Sequence, residues 1–232
     1  MCSGLAAGLA ACGGEDPDAG TNGVGKLEPA TIQSRTVKAA QGADAVHLSG
    51  TVVSSGKSYK LDMRLKDDGG TGSVTTNGST FRLLRVGEHL YLKADADFWT
   101  HSDEAQGGHG EGAAAEKLDG KYVKVPTGDP AYKRLSTFTD KDVLLDGLLT
   151  LHGDLAKGDH GSAGGVRTIE LTGDEGAGGT LDVSLEGRAF PMRLERAGGA
   201  GTLQLTDWGK DFTLEEPGDG DTVDYGKALP SS

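Results

Sequence analysis

The run YKLDMRLK constrains the fold more than any other stretch of the chain. Tyr59, Leu61, Met63 and Leu65 alternate with Lys60, Asp62, Arg64 and Lys66. A period of two sends successive side chains to opposite faces, so this segment is a half-buried β-strand. A strand with one apolar face needs paired neighbours and a cover for that face. Neighbours are legible on both sides. VHLSGTVV sets Val46, Leu48, Gly50 and Val52 on one side, and TGSVTTNGSTFRLLRV contains Asn77-Gly78. Both residues of that dipeptide tolerate positive φ, which favours a tight hairpin. EHLYLKAD, DFWTHSD and GKYVKVP read as further strands.

A second series, GVRTIELTG, GTLDVSLEG, RAFPMRLERAG, GTLQLTDWG and KDFTLEEP, follows after residue 160. Here Leu181, Val183 and Leu185 share one face, as do Phe190, Met192 and Leu194. Turns such as GDEGAGG and AGGAG separate the runs, and most of the 39 glycines fall in such clusters, without the period of collagen. Between the two series the period lengthens. DPAYKRLSTFT suits one or two helical turns. Thr139 or Asp140 then caps a helix through DKDVLLDGLLTLHGDLAKG, whose Leu144, Leu145, Leu148, Leu149, Leu151 and Leu155 make a broad apolar face and whose end is marked by Lys157-Gly158. PATIQSRTVKAAQGA, over Pro29–Ala43, suits a shorter helix that opens at its proline. Strand connections are too short for crossovers, so hairpins dominate. The expected fold is α+β: one large curved antiparallel sheet, a half-barrel, with helices covering its concave face.

The net charge of −12 excludes general nucleic-acid binding, which needs a cationic surface, and disfavours adsorption to anionic lipid by charge alone. Cys2 and Cys12 are the only cysteines, so the body holds neither a disulfide framework nor a thiolate metal site. Beyond the first dozen residues no apolar run approaches the ~18–20 needed to span a bilayer. Catalytic signatures lack their settings. Ser54-Ser55-Gly56-Lys57 matches S-x-x-K but lies between strands and has no KTG partner. HGSAG at 160–164 carries a histidine where a nucleophile elbow needs glycine, and GDEGAGG lacks the strand–loop–helix setting of a phosphate loop. His101, Asp103, Glu104, His109 and Glu111 share one Gly-rich polar stretch and read as solvated surface. Asp219, Asp221 and Asp224 lack the twelve-residue calcium frame. Neither an enzyme, a cofactor nor a metal is expected. Trp99 has two readings, a strand-end residue closing the core or a rim aromatic facing a ligand or membrane.

Leu9-Ala10-Ala11-Cys12 resembles a bacterial lipobox. The resemblance implies a diacylglyceryl group on the Cys12 thiol and cleavage of the peptide bond before it. Two acyl chains at ~0.8 kcal/mol per buried CH₂ meet the condition for stable anchoring. Residues 1–11 then read as a signal-peptide remnant in which no basic residue precedes the apolar stretch. Residues 12–28 are the lipidated cysteine and a flexible tether spanning ~20–25 Å. A single domain is expected over 29–216 and a loose tail over 217–232.

The element order, with VHLSGTVV, YKLDMRL, HLYLKADADFW, KYVKVP, TIELTG and PMRLERAG, resembles the actinobacterial LppX/LprAFG-type lipoproteins, whose fold is like that of the lipoprotein carrier LolA. The resemblance covers most of residues 29–215. It implies a half-barrel whose helix-covered concave side encloses an apolar cavity, in a family some of whose members carry acylated lipids between membrane and cell wall. On that basis the candidate cavity-lining residues are Leu61, Met63, Leu65, Leu181, Val183, Leu185, Phe190, Met192 and Leu194 from the sheet, with Leu145, Leu148 and Leu149 from the helix. The implied partner is a lipid or other acylated hydrophobic molecule. The expected protein is a monomer, lipid-anchored at the extracytoplasmic face of the cell membrane. The residue pattern itself leaves two readings open, since a packed core and a cavity both call for Leu and Val facing in. The alternative is an interaction or sensor lipoprotein presenting a β-rich surface to a cell-envelope partner.

Overall fold

A computed structural model describes residues 16–99 and 112–224. Its strands form two meanders. The first comprises β1 (Ala45–Ser54), β2 (Lys57–Lys66), β3 (Gly69–Thr76), β4 (Ser79–Val86), β5 (His89–Ala94) and β6 (Tyr122–Val125). The second comprises β7 (Leu155–Ala163), β8 (Val166–Gly173), β9 (Thr180–Ser184), β10 (Pro191–Glu195) and β11 (Gly201–Thr206), and a short β12 (Thr222–Asp224) ends the series. All join in one curved 12-stranded sheet of order β12-β6-β5-β4-β3-β2-β1-β11-β10-β9-β8-β7. Every described pairing is antiparallel except β12 on β6, which is parallel. The β3–β4 hairpin turns at Asn77 and Gly78, at φ 52° and 82°, as that dipeptide predicts.

This strand order dictates the roof. β6 and β7 lie near opposite edges, ten strand spacings or about 48 Å apart along the sheet. The chain between them has to travel over a face, and it carries α3 (Pro130–Ser136) and α4 (Lys141–Leu149). The Asp140 side chain caps α4 by accepting the Val143 N–H at 3.0 Å, and Leu145, Leu148 and Leu149 turn into the core. α1 (Pro29–Gln41) lies beside α4 and against β7, β8 and β10. Ile32, Thr36, Ala39 and Ala40 form its buried stripe, in which the Thr36 hydroxyl donates to the Ile32 carbonyl at 2.9 Å.

Register aligns the apolar side chains of the sheet into rows. One row runs Leu171, Leu181, Leu194, Leu203, Gly50, Leu61, Val74, Phe81 across successive strands. The next runs Leu205, Leu48, Met63, Gly72, Leu83, Leu92, Val123. Two glycines interrupt these rows because neighbouring backbone comes too close for a side chain. A Cβ at Gly50, where φ is 141°, would stand 2.2 Å from the Thr202 carbonyl oxygen, and one at Gly72 would stand 2.1 Å from that of Asp62. Such points let a wide sheet bend toward its covered face.

The structure corrects several expectations. The leucine-rich helix stops at Leu149 and does not reach Gly158. Thr150 is extended, Gly153 sits at φ 76°, and Leu155 opens β7. Pairing with β8 along one side of 155–163 outweighs a helical preference already weakened by two glycines. The helical turn over 96–99 takes in the start of DFWTHSD, because the Asp95 carboxylate accepts the Phe98 N–H at 2.9 Å. Part of the stretch expected as a polar loop over 102–117 is helix, α2 (Gly112–Leu118). His101, Asp103, Glu104, His109 and Glu111 lie outside the described residues. KDFTLEEP is not a strand, since every strand beneath it is already paired on both edges. Residues 207–221 instead form a strap across the convex face. Lys66 reaches Asp211 at 3.3 Å and stands 5.5 Å over the Phe212 ring, and Glu216 accepts from the Tyr91 hydroxyl at 2.6 Å. The strap ends in β12, so the tail is ordered at least to Asp224.

The expected tether is also docked from Asp16 onward. Asn22 donates its N–H to the Leu185 carbonyl at 2.8 Å, Lys157 donates to the Gly25 carbonyl at 2.8 Å, and Val24 is buried. Residues 16–28 are therefore docked on the body and are not a free tether.

Candidate functional site

The site the sequence points to is the face between sheet and helices. Leu61, Met63 and Leu65 from β2, Leu181 and Val183 from β9, Leu185 just beyond it, Leu194 from β10 and Leu145, Leu148 and Leu149 from α4 are all buried in one continuous apolar cluster. Phe190 and Met192 are not. Pro191 pairs with Val183 but Arg193 pairs with Asp182, so a β-bulge at Met192 shifts the alternation. The bulge falls at a proline, which has no N–H for a central ladder. Pro191 is turned in, and Phe190 leaves the core to stack on Trp208 at 4.8 Å and 1°.

Two side-chain groups fasten the roof. Arg85, on β4 at the rim of the covered face, donates to the Thr139 carbonyl at 2.8 Å, to its hydroxyl at 3.2 Å and to the Gly87 carbonyl at 3.0 Å. This fixes the α3–α4 junction. Lys141, with a side chain 1% exposed, places its ammonium 2.9 Å from Asp67, 3.1 Å from Asp142 and 3.0 Å from the Gln41 carbonyl. One amine thus ties the start of α4, the end of α1 and the β2–β3 turn. Burial pulls its pKa down, but the two carboxylates outweigh burial and hold it above the ordinary lysine value. Sequence reasoning missed both residues. Nothing in KDVLL signals that its lysine is buried, because the acceptors come from two other elements.

Over the first meander the cover is aromatic. Phe138 lies 6.0 Å from Tyr59, Phe98 lies 5.4 Å from Phe81, and Trp99 meets Phe98 edge-on at 5.3 Å. Trp99 is 4% exposed and belongs to the core, with no partner for its indole N–H among the described residues.

Beneath the roof the buried candidate side chains pack against one another in that one cluster. Recesses of 580, 280 and 200 Å³ on the described surface are lined by none of the candidate residues. A fourth, of 50 Å³, touches Leu148 and Leu194. Drug-sized ligands occupy ~300–1,000 Å³. No cluster of three potential metal ligands occurs among the described residues. On the convex face burial, then Asp182, raises the Glu170 pKa, but Asp182 is itself engaged by Arg193 at 2.8 Å in a structural ladder. Burial, then Glu216, pushes the Tyr91 hydroxyl pKa far upward, while Tyr91 and then His89 hold Glu216 below the usual carboxylate range.

Comparison with solved structures places the fold. LprF from Mycobacterium bovis superposes with a TM-score of 0.55 at 16% identity, covering 82% of this chain and 96% of that one. The lipoprotein LppX of Mycobacterium tuberculosis is similar at 17% identity and a TM-score of 0.45, over 82% and 100% of the two chains. At such identity the likeness to LprF is one of fold, and it bears out the curved sheet with helices over one face. No protein-family model matches the sequence, and no curated protein is found similar to it.

Proposed function

We propose that this protein is an extracytoplasmic lipoprotein, held at the cell membrane through a diacylglyceryl group on Cys12, that binds a hydrophobic or acylated molecule between its curved sheet and the helices above it. Cys12 lies outside the described residues, and the anchor rests on the lipobox pattern. The observation that carries the binding half is the concentration of apolar side chains on one roofed face. Two meanders contribute leucines to shared rows, and the roof over them is fastened at its edge by the polar groups of Arg85 and Lys141. A roof tied by polar groups at its edge and held beneath by apolar contacts can lift as a unit, with acyl chains replacing side-chain contacts of the same chemistry. Lipid extraction of the native membrane protein followed by mass spectrometry tests the reading, together with uptake of a fluorescent fatty acid. A protein that carries no lipid and takes up none ends the carrier function, and an unmodified Cys12 ends the anchor.

The packing of the buried candidate side chains against one another favours a second reading, an interaction or sensor lipoprotein that presents its β-rich surface to a cell-envelope partner. Its convex face is crossed by the strap. Among the described residues only Val53 and Val143 are exposed large hydrophobics, so such a partner would be met through polar contacts.

A further inference from the structure

A hollow of 280 Å³ lies where α1, the docked N-terminal segment and the β9–β10 connection meet, and three cations line it. Arg35 and Lys38 stand one turn apart on the exposed side of α1, and Arg188 comes from the connection. Arg188 is planted, donating to the Gly42 carbonyl at 3.1 Å with its guanidinium 5.5 Å over the Phe190 ring. None of the three pairs with a carboxylate among the described residues. Two acids of the adjoining segment are already engaged, Asp16 by Lys26 at 2.8 Å and Asp18 by His160 at 3.2 Å. In a chain of net charge −12, such a convergence of free cations is a local reversal of sign.

Its place in the fold indicates the anion. Asn22 and Val24 line the hollow, and both belong to the segment locked onto the body. Asp16 is tied to Lys26, two residues past Val24. Cys12 is four residues ahead of Asp16, a reach of at most about 14 Å. If Cys12 carries the anchor, as proposed above, so short a reach lets the hollow approach the headgroups to within a Debye length, the range over which an anionic leaflet attracts cations. The rest of the acidic surface is repelled by an anionic leaflet, and these three groups are attracted.

We infer that the hollow of Arg35, Lys38 and Arg188 is the face this protein sets against the bilayer, binding phosphoester groups of anionic lipids and fixing the orientation of the anchored body. Each cation near an anionic leaflet is worth roughly a fivefold preference.

The test uses the full chain with Cys2→Ser, coupled through Cys12 to maleimide-bearing vesicles of phosphatidylcholine, with or without phosphatidylglycerol. Mass spectrometry follows acetylation of Lys38 relative to Lys57 in the exposed β1–β2 turn. Lys38 is expected to react about tenfold more slowly on the anionic vesicles alone, with the protection lost in high salt and in Arg35→Glu, an exposed change whose folding circular dichroism checks. Equal rates on both vesicles overturn the inference, as does protection that survives high salt. Protection of the uncoupled protein by inorganic phosphate as strong as that on vesicles would assign the hollow to a free anion and overturn the membrane assignment. Because the coupling is chemical, the result stands apart from whether native Cys12 is lipidated.

Discussion

Lys141→Met removes one ammonium from the edge of the roof while keeping most of the stem. The Gln41 carbonyl loses a charge-assisted bond at 3.0 Å in partly buried surroundings, worth about 1.5–3 kcal/mol. Asp67 and Asp142 are 77% and 66% exposed, so their carboxylates rehydrate and each loss is discounted to about 0.5 kcal/mol. Against this, the buried charge no longer has to be desolvated. The net loss is about 1–3 kcal/mol, a fall of roughly 3–10 °C in Tm for a domain of this size. Lys141→Ala also deletes three methylenes of the fully buried stem, at about 0.8 kcal/mol each, and should lose about 2 kcal/mol more. The sign of the pH effect follows from the raised pKa. The folded lysine holds its proton more tightly than the unfolded one, so the ammonium's contribution is complete below pH ~10.4 and fades as pH rises through the folded value. Urea denaturation of wild type and both variants across neutral to alkaline pH measures all of this. If the methionine variant matches wild type at neutral pH and loses stability in parallel with it above pH ~10, the ammonium does not fasten the roof. A faster uptake of fluorescent fatty acid by the same variant is the functional counterpart, since a roof with fewer ties lifts more often.

Other perturbations probe the sheet and the strap. Leu61→Ala, at a position 1% exposed in the middle of the longest row, should cost about 3–5 kcal/mol in denaturant titration. Gly72→Ala should disrupt β2–β3 pairing, because the new methyl would stand 2.1 Å from backbone oxygen; Gly128→Ala, with nothing within 4 Å, should change stability by less than about 0.5 kcal/mol. Equal effects of the two glycine changes would refute the close approach. Glu216→Gln tests the strap in acid. Tyr91 first and His89 second depress the Glu216 pKa, so its contribution is present above pH ~4.3 and is lost as pH falls through the lower folded value. The variant should lose that acid dependence, read as a smaller change in unfolding midpoint between neutral pH and about pH 2–3, below the unfolded carboxyl value.

Local pattern carried the element types wherever one rule acted alone. The alternation in YKLDMRLK, the Asn77-Gly78 turn and the Asp140 cap each depend on a few adjacent residues, and each stands as read. Misreadings occurred where a distant partner changed the outcome. The leucine spacing through Leu155 fits a helix, but β8 offered residues 155–163 an antiparallel ladder, interrupted between Lys157 and His160. Alternation in RAFPMRLE puts Phe190 and Met192 inward, but a proline in a central strand forced a bulge that returned the register one residue later. The Gly-rich acidic segment after Cys12 has the composition of a free tether, but Asn22, Gly25 and Val24 found partners on β7 and beyond β9.

The sequence by itself determined that this chain makes a mostly antiparallel sheet with one apolar face and a helical interruption halfway along, because periodicity and turn chemistry are properties of neighbouring residues. Only the tertiary structure decided that β6 and β7 lie near opposite edges, which obliges the interruption to cross the covered face, and that Leu145, Leu148 and Leu149 pack there against the leucines of the sheet. It also decided that Lys141 is buried, and that Arg35, Lys38 and Arg188 converge beside the N-terminal segment. Those outcomes depend on which remote elements meet, and the energy of each meeting is shared between groups that no local window contains.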